Sequence, residues 1–132
     1  MKIRKEEAKL KSAFTRELET QLPDFVTLRY ATAGGPDREI VGNGITSRWE
    51  FKHGTPTFRS QGNQELAMCR LAVVGHARYV IWRETPHGGK CTMIVHPLMV
   101  HERVGWDLVP EAVTIGFDHR WLVEQIKQIH GL

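Results

Sequence analysis

The sequence predicts one domain of α/β (α+β) class with a mixed central sheet, and three observations carry that expectation. The chain has 132 residues, enough for one domain that buries roughly two-thirds of its unfolded surface without a metal or disulfide staple. Segments of helical and of strand periodicity alternate along it, an arrangement that packs helices against a sheet. Asn43-Gly44 lies between two runs of strand character, and Asn-Gly in that setting is the strongest short hairpin signal, because both turn positions take positive φ. With 41% apolar and 25% charged residues, the composition is that of an ordinary globular chain and excludes global disorder.

The elements follow in order. Residues 5–21 read as a helix: Leu10, Phe14 and Leu18 recur every four positions among good helix formers, and Pro23 ends the run. Residues 25–32 are rich in β-branched and aromatic side chains and read as a strand, broken by Gly34, Gly35 and Pro36. Residues 37–41 and 45–52 form the two arms of the Asn43-Gly44 hairpin. Ile45, Ser47, Trp49 and Phe51 point to one face, joined by Ile40 across the pair, and Thr46, Arg48, Glu50 and Lys52 point to the other. Residues 62–74 are apolar on most sides and read as a buried helix capped by Gly75. Residues 78–83 read as a buried strand, 86–90 as a turn, and 91–100 as a further strand interrupted near Pro97. A loop then leads to a last helix at 118–130 with Asp118 as its N-cap. No repeat or linker divides the chain, so residues 1–132 are read as one domain, with a core over about 5–84 and a C-terminal addition over about 90–132.

Several function classes are excluded or disfavoured. The longest apolar runs, near residues 71–74 and 91–95, are far shorter than the roughly 20 residues of a membrane-spanning helix. The N-terminal Met-Lys-Ile-Arg-Lys has no apolar segment behind it and does not read as a secretory signal. Two cysteines, Cys69 and Cys91, sit in apolar surroundings and read as reduced thiols, so a cytoplasmic location is expected. Lys and Arg outnumber Asp and Glu by 18 to 15, with a pI near 9.1, which permits nucleic-acid binding without requiring it. The seven histidines show no zinc-site spacing, and no Gly-Lys-Ser/Thr accompanies the glycines, which disfavours a phosphate-binding loop.

The hairpin register carries the chemistry. If Asn43-Gly44 is a two-residue turn, Gly42 faces Ile45, Glu39 faces Arg48 and Asp37 faces Glu50. The last two are like charges with Cβ atoms about 4.5–5.5 Å apart, which destabilises a sheet unless a cation joins them or one is protonated. A one-residue slip would send the two acids to opposite faces. Lys52 projects from the face of Glu50. Hard oxygen ligands of this kind suit Mg²⁺ or Mn²⁺, with the Phe51 backbone carbonyl as a further ligand. A lysine beside them suits the positioning or deprotonation of water.

Pro36-Asp37, twelve residues, then Glu50-Phe51-Lys52 resembles the PD-(D/E)xK motif of the restriction-endonuclease-like nuclease superfamily. The order helix-strand-strand-strand-helix-strand over residues 5–84 is also similar to its core. The details resemble its small VRR-NUC and Holliday-junction-resolvase-like members: Gly34-Gly35 precede Pro36, and Gln64 lies early in the second helix, with Gln61 as the alternative. The strand at 78–83 carries no VRR-like triplet. The resemblance implies a glutamate of the first helix at the metal, for which Glu7 is the first choice, Glu6 the second and Glu17 the third. It further implies a Mg²⁺-dependent DNA endonuclease, with Mn²⁺ able to substitute, in which Asp37, Glu50, Lys52 and Gln64 are the catalytic set. A homodimer and a phage, mobile-element or DNA-repair setting are implied as well. Arg59, Arg70, Arg78, Arg83, Lys90 and His53 are candidate nucleic-acid contacts, since phosphate contacts supply most sequence-independent affinity. The alternatives are a structure-specific Holliday-junction or flap nuclease of the same superfamily, and a catalytically silent DNA-binding or assembly module with this fold.

Overall fold

The computed structural model describes residues 2–29, 37–54, 62–85, 87–102 and 109–132, and side chains within 8–29, 37–54, 66–85, 87–99 and 109–132. The order is α1 (Lys2–Gln21), β1 (Val26–Arg29), β2 (Arg38–Gly42), β3 (Ile45–Gly54), α2 (Gly62–Val74), β4 (His76–Glu84), β5 (Lys90–Val95), α3 (Pro97–Glu102), β6 (Ala112–Ile115) and α4 (His119–Ile129). The six strands form one sheet in the order β1-β2-β3-β4-β5-β6. β3 and β4 run parallel, joined by the crossover that contains α2, and every other neighbouring pair is antiparallel. The mixed α+β expectation therefore holds.

Period-two alternation divides the core between the two faces of this sheet. On one face Leu10, Phe14 and Leu18 of α1 and Leu122, Val123 and Ile126 of α4 cover Ile40, Trp49, Phe51, Val80, Trp82 and Ile94. An aromatic row runs through this cluster, with Phe14 5.1 Å from Phe51 and Phe51 stacked 5.4 Å from Trp82. On the other face Met68 of α2 packs with Ala77, Tyr79 and Ile81 of β4 and Cys91, Met93 and Val95 of β5, with Met99 of α3 beside them. Tyr79 and Ile81 are the register partners of Glu50 and Lys52, so those two site residues belong to the α2 face of the sheet.

The hairpin is pinned at its turn. Asn43 and Gly44 have φ of 53° and 75°, as a two-residue turn with positive φ at both positions requires. Beside it His130, fully buried after α4, sits 2.8 Å from the Gly42 carbonyl through Nδ1 and 2.8 Å from Ser47 Oγ through Nε2. Trp49 Nε1 donates to the same Ser47 oxygen at 2.8 Å, and Asn43 Nδ2 donates to the His130 carbonyl at 2.7 Å. Gly42 has no room for a side chain, because a Cβ there would meet the Phe25 ring at 2.4 Å.

The C-terminal region departs from the sequence reading. β5 ends at Val95, and Pro97 opens the short helix α3 instead of interrupting a strand, which suits a residue whose missing N–H goes unused in the first helical turn. β6 was not expected. Ile45 is only half-buried and lies outside the core cluster, unlike Ile40, Trp49 and Phe51. The N-cap expectation holds: Asp118 accepts from Trp121 N at 2.9 Å. The break at Gly34, Gly35 and Pro36 and the end of the first strand at 30–32 lie outside the described residues.

Candidate active site

The register foreseen for the hairpin is the register observed: Gly42 pairs with Ile45, Ile40 with Ser47, Glu39 with Arg48 and Arg38 with Trp49. Glu39 and Arg48 form an ion pair at 2.8 Å. Asp37 stands just before β2, at the position that continues the ladder towards Glu50. Residues exchanging both backbone bonds alternate with pairs that exchange none, and side chains lie closer in the latter. Gly42 and Ile45, which flank the two-residue turn, are a bonded pair, so Glu39–Arg48 and the Asp37–Glu50 position are of the closer kind.

The two carboxyl groups meet, hydrogen-bonded to each other. Asp37 Oδ2 also accepts from Phe51 N at 2.8 Å, and Asp37 Oδ1 lies 3.3 Å from Lys11 Nζ. Glu50 is 2% exposed. Burial, then its hydrogen bond to Asp37, then the Asp37 charge push its carboxyl up to about 9, and Lys52 and Lys11 only partly offset that. Asp37 goes the other way. Burial opposes its ionisation, but the bonds from Glu50 and Phe51 and the charge of Lys11 outweigh it and hold Asp37 below the ordinary range. The two directions are those of a carboxyl pair that shares one proton.

Lys11 is the participant that sequence reasoning missed. It comes from α1, which is tied to β2 close by: Arg38 Nε donates to Thr15 Oγ1 at 3.2 Å, and Thr15 Oγ1 donates to the Lys11 carbonyl at 2.8 Å. The one available signal was position, since Lys11 stands one helical turn after Glu7 on the helix already expected to serve the site.

The donor set suits a hard divalent ion. It comprises two carboxylates plus the Phe51 carbonyl, which faces the same side of β3 as the Phe51 N–H that bonds Asp37, because a strand residue directs both groups to one neighbour. Mg²⁺ is ordinarily held by one or two carboxylates and keeps several waters. Among the described residues no group of three or more His, Cys, Asp and Glu is placed to hold a metal.

The other expected site residues are distributed as follows. Lys52 lies on β3 beside Glu50 and acts on it through its charge. His53 packs edge-on to Phe117, with ring centres 6.0 Å apart. Arg78 pairs with Glu111 at 2.9 Å. Arg83 is buried, its guanidinium 3.7 Å from Met93 Sδ. Glu17 is engaged by Arg120 of α4 at 3.2 Å and not by the acidic pair. The side chains of Glu6, Glu7 and Gln64, and residues Arg59 and Gln61, lie outside the described residues. A groove between α1 and α4, lined by Ala8, Ser12, Ala13, Phe117 and His119, contains neither acid.

No protein-family model matches the chain, and no curated protein matches it.

Proposed function

We propose that this chain is a Mg²⁺-dependent DNA endonuclease of the PD-(D/E)xK type, with Asp37 and Glu50 as metal ligands and Lys52 as the group that orients the attacking water. The observation that carries the reading is the hairpin geometry that brings Asp37 to the buried Glu50, with Asp37 Oδ2 on Phe51 N at 2.8 Å and a lysine 3.3 Å from Asp37 Oδ1. Asp37 and Glu50 converge from the two arms of one hairpin, and a bound divalent ion there supplies charge neutralisation for a phosphodiester undergoing in-line displacement. Glu50 would hold such an ion as the carboxylate. Lys52, on the same face of β3, holds the water by hydrogen bonding and offsets negative charge as it develops on the phosphate. The order helix-strand-strand-strand-helix-strand over α1 to β4 supports the restriction-endonuclease-like core. The basic balance of the chain supports DNA as substrate, and a homodimer would present two sites to two strands.

The test is incubation with Mg²⁺ or Mn²⁺ and labelled linear, circular, single-stranded, flap and four-way-junction DNA, beside Glu50→Ala and Lys52→Ala. Cleavage that both variants lose is the expected outcome. The preferred substrate then separates a general endonuclease from a junction or flap nuclease. DNA binding without cleavage of any substrate would overturn the reading in favour of a silent binding module.

A further inference from the structure

Asp37 has two carboxylate oxygens with different occupants. Oδ2 takes the Phe51 N–H at 2.8 Å, and Oδ1 faces Lys11 Nζ at 3.3 Å. A lysine therefore stands on the oxygen of Asp37 that the backbone leaves open to a cation. It is delivered there by design of the fold: the Arg38–Thr15 hydrogen bond fastens α1 to β2, and Thr15 in turn holds the Lys11 carbonyl. The ammonium is nevertheless able to leave. Its side chain is 23% exposed, and lysine presents a compact charge on a flexible stem, without the rigid two-point grip of arginine.

We propose that Lys11 is the resident counter-cation of the acidic pair, which competes with a divalent ion for Asp37 and withdraws when the ion enters. The inference deepens the nuclease reading and rests on it. A monovalent ammonium on a long stem meets one oxygen of Asp37, whereas a divalent ion is held by both carboxylates at once. Its charge at carboxylate-bonding distance repels the ammonium strongly, because partly buried charges are weakly screened. Lys11 and Lys52 thus divide the work: Lys52 stays beside Glu50 on its strand, while Lys11 moves. The consequence is a site that binds its metal more weakly than its ligands alone would, with Lys11 setting the metal concentration at which it fills.

The experiment measures Mn²⁺ affinity at constant ionic strength by calorimetry and by metal-dependent thermal shift, for the full chain and for Lys11→Met, Lys11→Gln, Lys11→Arg and Glu50→Gln. Removing the charge in Lys11→Met and Lys11→Gln is expected to tighten Mn²⁺ binding on the order of tenfold. Lys11→Arg, which keeps the charge and grips a carboxylate more rigidly, is expected to bind Mn²⁺ no more tightly than the unmodified chain. Glu50→Gln is expected to lose the response, which places the ion at the pair. Equal affinity in the unmodified chain and both uncharged variants, or weaker binding in them, would overturn the competition while leaving the metal site standing. No Mn²⁺ binding by the unmodified chain would overturn the nuclease reading and this inference with it.

Discussion

At its turn the β2–β3 hairpin buries polar groups that close a hydrogen-bond chain, whereas at its open end it brings together two that conflict, one buried and one half-buried. At the turn the Gly42 carbonyl can only accept, so His130 Nδ1 carries the hydrogen. Nε2 meets the Ser47 hydroxyl, and Ser47 Oγ accepts from Trp49 Nε1. Each of these polar atoms has a partner, which is how interior polar groups ordinarily stabilise a fold. Some five residues along the same two strands, Asp37 and Glu50 are both acceptors when ionised and must retain a proton to coexist. The contrast teaches how the two ends differ: one network fastens the C-terminus to the sheet, and the other sets two carboxyls against each other, the kind of perturbed pair that functional sites often contain.

Substitutions separate the two ends by what they change. The largest effect belongs to the open end and falls on activity: Glu50→Ala is expected to lower DNA cleavage by about a thousandfold or more, roughly 4 kcal/mol of transition-state stabilisation, while leaving the fold intact by circular dichroism. The next belongs to the turn and falls on stability. His130→Ala removes a fully buried ring with two hydrogen bonds and should cost about 2–4 kcal/mol in urea unfolding. Ser47→Ala, which deprives both Trp49 and His130 of a partner, should cost about 1–3 kcal/mol by the same measurement. A large loss of stability from Glu50→Ala, or none from His130→Ala, would erase the distinction.

A further effect sharpens it through pH. The raised Glu50 carboxyl favours the folded protein while it is protonated. Its contribution is fully present below its ordinary value of 4.5 and is lost as pH rises towards about 9, because the unfolded chain then binds fewer protons than the folded one. The Tm of the metal-free protein should therefore decline across that window, and Glu50→Gln should flatten the decline. Asp37, held low, acts in the opposite direction, but only around and below its ordinary 3.8. The turn network contains no such carboxyl, so a decline that survives in Glu50→Gln would place its source elsewhere.

What the sequence discloses, and what it hides, follows from the same physics. The hairpin register was legible because Asn43-Gly44 admits a tight turn and because period two ties Trp49 and Phe51 to one face and Glu50 and Lys52 to the other. α2 was legible over its observed span because glycines stand at both of its boundaries, Gly62 and Gly75. β6 was hidden: it is a four-residue edge strand whose Val113 and Ile115 are exposed, so it lacks the inward-facing apolar alternation that marks a strand. Pro97 reads equally well as a strand breaker and as the first residue of a helix, and only the tertiary setting decides. Lys11 looks like one more charge on a solvated helix face. Its partnership with Asp37 depends on how α1 lies across β2, which Arg38 and Thr15 fix over a separation of 23 residues.

The most direct test of a proton-sharing pair that a metal resolves is a proton count. Mn²⁺ is titrated into the protein near pH 7 by calorimetry in two buffers of different ionisation enthalpy, since ligation requires deprotonated carboxylates and so releases protons. About one proton released per ion bound, abolished in Glu50→Gln, is the expected result. Binding with no proton released, or no binding at all, would contradict it.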